Sequence, residues 1–179
     1  MDEIPKKWPE RCCVAAFVWA AILNLCCVSV DRQQLARRLG IRVGPNDDNP
    51  WGLPVAKSGT TGLTVAEATE AIPLIVCEYR LFFRHVPFNT IAFEQFPETL
   101  HHAVSRRHVA GVGLDYSVVS GRGRQHSAHV MRCRLGETGR CVVLVDDSTG
   151  FPAVCHELQW HELEAAVHAV DGGYWIIGN

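Results

Sequence analysis

The chain reads as an α+β protein, and three observations predict that class. A nearly unbroken apolar run lies close to the N-terminus. Helix-capping patterns then dominate the first half. Runs of strand-forming residues on either side of a glycine-rich loop follow in the second half. At 179 residues the chain suits one domain, residues 1–179, with enough apolar surface to form a core. Lys plus Arg number 17 against 19 acids, a net charge of -2, so there is no electrostatic reason to expect a nucleic acid or an acidic lipid surface as partner.

From Cys12 to Val30 only Asn24 and Ser29 are polar. Lys6, Lys7 and Arg11 precede this run, which gives it the outline of a membrane anchor or an export signal. Val28 and Val30 stand where a cleavage site needs small residues, and four cysteines with Asn24 are poor anchor material. A helix enclosed on all sides by its own domain is the expectation, with no membrane partner. Eight cysteines occur as two adjacent pairs and four scattered residues, a pattern that suits reduced thiols in a cytoplasmic protein better than a disulfide framework.

The remaining elements follow in order. Asp31 and Gln34 resemble a capping box, Leu35 and Leu39 repeat at helical spacing, and Gly40 ends the segment. Residues 41–62 are rich in turn formers and read as an irregular excursion. Thr64 and Glu67 cap a further helix that Pro73 is expected to close, and alternation from Ile75 to Phe83 predicts a half-buried strand. Pro97 opens a helix to about Arg106, a strand covers residues 108–116, and residues 121–125 form a basic loop. Trp160 to about Val170 is expected to be helical, and YWIIG at residues 174–178 is a closing strand.

The passage from His126 to Gly150 carries the chemistry. A four-residue loop at Gly136–Gly139 predicts a hairpin in which Leu135 faces Arg140 and, further along, His129 faces Asp146. Opposed residues share a face with Cβ atoms about 5 Å apart, so the carboxylate could orient the imidazole. Cys12 or Cys13, at the first turn of the apolar helix, lies at the positive end of the backbone dipole, where a neighbouring imidazole can hold a thiolate. Either cysteine with His129 and Asp146 would make a nucleophile, base and orienter set, which needs neither a cofactor nor a metal. A zinc reading of His126, His129, Cys133 and Cys141 is weaker, because Cys133 and Cys141 fall out of phase on the hairpin. His101, His102, His156, His161 and His168 read as surface or boundary residues, and Trp51 as a cover for the core edge or part of a groove.

The motifs CVAA at 13–16, AHV at 128–130 and DDSTG at 146–150 resemble the papain-like cysteine peptidases of the bacteriocin-processing, double-glycine leader type. The order and spacing span nearly the whole chain. The resemblance implies a papain-like fold, with Cys13 as nucleophile, His129 as base and Asp146 as orienter. It also implies a peptide or small protein precursor as substrate, cleaved after a small residue such as glycine. Three positions depart from the family pattern: Lys7 stands where a glutamine helps to bind the oxyanion, Val14 where glycine is common, and Asp147 where proline often follows the aspartate. Lys7 or the Trp8 indole is then the expected second oxyanion donor. Acyl transfer to an amine and leader binding without catalysis are the alternative activities. The sequence carries no signature of oligomeric state.

Overall fold

The structure, a computed structural model, describes residues 7–57, 59–88, 95–120, 128–137, 139–170 and 172–179. Helices α1 (Cys13–Cys26), α2 (Arg32–Leu39) and α3 (Val65–Val76) come first, followed by strand β1 (Phe82–Val86) and helix α4 (Phe96–Ser105). Then come β2 (Val109–Asp115), the short helix α5 (Tyr116–Ser120), β3 (Ala128–Leu135), β4 (Cys141–Asp146) and β5 (Val154–Gln159). Helix α6 (Trp160–His168) and β6 (Tyr174–Gly178) complete the order. The strands form one sheet in the order β1-β6-β2-β3-β4-β5, and every neighbouring pair is antiparallel. The α+β layout is therefore present.

The first part of the apolar run is a buried helix, whereas Asn24 and residues 27–29 are exposed and 27–30 lie beyond the helix. Val14 to Val18 together with Ala20, Ala21 and Ile22 are all buried on α1, and the helix ends at Cys27 in the left-handed conformation, φ 55°. No helix among the described residues is long and apolar enough to cross a membrane. Helices α1, α2 and α3 pack on one face of the sheet against Val109, Val130, Trp175 and Ile177. The other face carries Val112, Leu114, Met131, Leu144 and Tyr174 beneath residues of α4 and α6. Gly111 permits the closest approach of α1: a Cβ there would sit 2.5 Å from the Phe17 ring.

Two expectations need correction between Thr64 and Phe83. Pro73 does not close its helix but lies inside α3, and the predicted strand from Ile75 begins only at Phe82. Proline removes one intrahelical hydrogen bond, but Ile72, Ile75 and Val76 all bury from α3, and this keeps the helix going past it. The alternation from Ile75 therefore came from the end of a helix and a short 3-10 turn at Cys77–Tyr79. Thr64 and Glu67 do form the full capping box, and Asp31 accepts the Gln34 amide at 2.6 Å.

The hairpin has a different register from the one expected. Leu135 pairs with Val142 rather than Arg140, and Arg132 pairs with Val145. The Gly136 amide, just past β3, donates to the Cys141 carbonyl at 3.0 Å, while Gly139 adopts φ 68°. A Cβ on Gly136 would overlap the Cys141 sulfur, so this glycine makes room for a neighbour rather than forming the turn. Each residue's partner moves by two positions. That shift preserves the face on which each side chain stands.

Candidate active site

Cys13 is the first residue of α1, and Cys12 occupies the N-cap without a side-chain capping bond. The first intrahelical bond runs from the Ala16 amide to the Cys12 carbonyl at 2.8 Å. The Cys13 amide thus belongs to the first turn, whose N–H groups have no intrahelical acceptor. Upstream, the Trp8 amide donates to the Ser148 carbonyl at 2.9 Å, which ties the segment before Cys13 to the turn after β4. Arg11 takes a left-handed conformation, φ 67°, and its Nε donates to Asp47 Oδ2 at 3.0 Å.

His129 is the second residue of β3 and Asp146 the last of β4. Continuing the observed register places Ser148, not Asp146, opposite His129. The two are diagonal neighbours on one face, within reach for long or aromatic side chains. Nε2 of His129 lies 3.2 Å from Asp146 Oδ1, and Asp146 is only 2 % exposed. The same oxygen accepts the Ser148 amide at 3.0 Å and the Ser148 hydroxyl at 2.5 Å. Three donors on one buried carboxylate oxygen fix its orientation, and with it the plane of the imidazole. The Tyr116 ring lies over His129 with centroids 4.9 Å apart and a tilt of 31°.

Nε2 of His129 faces Asp146, and the Cys13 thiol is coupled electrostatically to the same imidazole. Burial by itself would push the Cys13 thiol up. The positive charge of His129, the hydrogen bond to it and an N–H from Val130 outweigh that effect and hold the thiol below its ordinary value, although Asp146 opposes them. Burial would lower the imidazole. The negative charge of Cys13, the bond to Asp146 and the bond to the thiol instead raise His129 to about 10. Asp146 is raised by burial but lowered further by His129 and Ser148, so it stays below the usual carboxylate range. The three groups therefore favour a thiolate and imidazolium pair braced by a carboxylate.

All three residues that the sequence singled out as Cys13, His129 and Asp146 come together. Cys12 does not: it is 1 % exposed, and burial and the charge of Cys13 push its thiol up to about 12. Lys7 is exposed, and Trp8 is turned into a cluster with Trp19 and Trp51. Asp147 has a structural partner. Arg132 reaches it with two bonds, Nε to Oδ2 at 3.0 Å and Nη2 to Oδ1 at 2.8 Å. This half-buried pair clamps the turn that follows Asp146 to the neighbouring strand.

Ser148, Arg132, Tyr116 and Val130 support the site but were not singled out from sequence. Ser148 had a signal, since Asp-x-Ser at a strand end is a common side-chain-to-backbone turn. The other three depend on strand pairing. The residues weighed for zinc do not converge: Cys133 contacts the Met131 carbonyl, whereas Cys141 donates to Glu157 at 2.9 Å. Among the described residues no three His, Cys, Asp or Glu side chains gather as a metal site. His126 lies outside the described residues. No protein-family model and no curated protein matches the chain.

Proposed function

We propose that the protein is a papain-like cysteine peptidase that hydrolyses a peptide bond in a peptide or small protein precursor. The observation that carries this reading is an imidazole, His129, held 3.2 Å from the buried Asp146 carboxylate and coupled to the thiol of Cys13, the first residue of α1. The Cys13 thiolate attacks the scissile carbonyl, and the positive end of α1 helps to keep the sulfur ionised. Charge developing on the carbonyl oxygen is met by the Cys13 amide in the first turn. His129 then gives its proton to the leaving amine, taking the neutral form. It next accepts a proton from the water that attacks the thioester, releasing the acid and restoring the thiol pair. Asp146 keeps the ring aimed throughout.

All eight cysteines are free thiols, which fits a reducing, cytoplasmic setting. The likeness to double-glycine leader peptidases supports a precursor substrate with a small residue before the cut. The test is incubation with a peptide library and mass spectrometry of the products. Cleavage that is lost in Cys13→Ala, together with labelling of Cys13 by an E-64-like epoxide, supports the reading. Amine-capped products would redirect it to acyl transfer. Tight peptide binding that persists in Cys13→Ala, without turnover by the unmodified protein, would replace it with a binding role.

A further inference from the structure

Asp146 reaches His129 from β4, and a further element covers the imidazole ring. Strand β2 ends at Asp115, which pairs with Ala128, and Leu114 stands directly opposite His129. Side chains alternate between the two faces of a sheet. Tyr116, two residues past Leu114, therefore leaves β2 on the face where His129 stands and reaches it diagonally. Its exit is fixed locally, because the fully buried Asp115 carboxylate accepts the Ser117 amide at 2.9 Å. The Tyr116 ring lies over the imidazole with centroids 4.9 Å apart and planes 31° apart. His156 of β5 meets the same tyrosine edge-on, at 6.3 Å and 88°.

The face of an aromatic ring carries the negative part of its quadrupole, so it attracts a cation within about 6 Å of its centroid. The modest tilt presents that face, not the positive edge, to His129. The His129 side chain is only 17 % exposed, so little water screens the contact. An aliphatic side chain of similar bulk would cover the imidazole as well, but it would not distinguish the charged ring from the neutral one. Among the described residues, the charged groups that act on His129 are Cys13 on α1 and Asp146 on β4. Arg132 and Asp147, nearby, are bonded to each other.

We propose that Tyr116 is a positioning residue whose ring face favours the imidazolium form of His129 and fixes the plane in which that ring meets Asp146. This role rests on the peptidase reading, in which the imidazolium supplies the proton for the leaving amine.

Tyr116→Phe and Tyr116→Leu test it, because both lack the hydroxyl and only phenylalanine keeps the aromatic face. The titration of His129 can be followed by NMR with labelled histidine and assigned with His129→Ala. Its midpoint should lie about half a pH unit lower in the leucine variant than in the phenylalanine variant. Equal midpoints overturn the role of the ring. In the unmodified protein the Tyr116 and His129 ring protons should show a nuclear Overhauser contact, and its absence overturns the proposal even where a variant fails to fold. Iodoacetamide at pH 7 checks the underlying reading separately. Selective labelling of Cys13 in the unmodified protein supports the peptidase, and indiscriminate labelling of the thiols overturns it, while the two midpoints still decide whether the tyrosine face acts on His129.

Discussion

Helix α1 carries an adjacent pair of cysteines at each end, and the two ends differ in everything except composition. At the N-terminal end the positive charge of His129 holds the Cys13 thiol below its ordinary value. At the C-terminal end Cys26 reaches only the Tyr79 carbonyl, with Sγ to O at 3.8 Å, and Cys27 is exposed. The backbone dipole favours a thiolate at the first end and disfavours one at the second, by about 0.3–1 kcal/mol at each. The dipole alone is therefore too weak to set the two ends far apart. The imidazole from the sheet, braced by Asp146, accounts for most of the contrast.

The largest expected effect comes from removing that imidazole. In His129→Ala, peptide turnover should fall by about 10²- to 10⁴-fold. Alkylation of Cys13 by iodoacetamide at pH 7 should fall by about 10- to 30-fold as the thiol returns toward its ordinary range. Cys27, at the other end of the same helix, should label at an unchanged rate. Cys13 and Cys27 reacting equally in the unmodified protein would erase the contrast.

A smaller effect is expected from Asp146→Asn, which keeps the shape but removes the carboxylate charge. Asp146 is one of the groups that raise His129 to about 10, so without it the imidazolium should lose its proton at lower pH. The alkaline limb of kcat/KM should move down correspondingly. Stability should respond with a definite sign. A histidine raised from about 6.5 in the unfolded chain contributes stability that is fully present below that value and is lost as pH rises through about 10. Urea unfolding at pH 6 and pH 10 should therefore separate the variant from the unmodified protein more at the lower pH. Equal separation at both would show that the carboxylate acts only by packing.

Much of this was legible in the sequence because it depends on neighbours along the chain. The apolar run, the Thr64 box and the strands at Val109 and Tyr174 follow from local patterning. The residues of the candidate site were named from the sequence too, and the pairing expected for two of them was partly mistaken. His129 and Asp146 were expected directly opposite and are diagonal, and the match survived only because the register moved by two positions. What the sequence hid was set by distant partners. Pro73 sits in a helix because Ile75 and Val76 bury from it, and β5 escaped notice because four of its six residues are exposed at the sheet edge. The tryptophans around Arg32 come from three separate segments, which no local window unites.

The smallest expected effect belongs to the quiet end of α1. Cys27 adopts φ 55° and ψ 29°, and its amide closes on the Leu23 carbonyl at 3.0 Å, the left-handed ending that usually calls for glycine. A side chain with a Cβ is strained there by roughly 1–2 kcal/mol, whereas glycine adds flexibility to the unfolded chain that returns about half of any gain. Cys27→Gly should thus stabilise the protein by about 0.5–1 kcal/mol and raise Tm by about 1–4 °C, read by calorimetry. The rate of Cys13 alkylation should not change, because the helix keeps its N-terminal turn and His129 its partners. A Cys27→Gly variant with a slower Cys13 would mean that the two ends communicate along α1, and the sharp division between them would have to be abandoned.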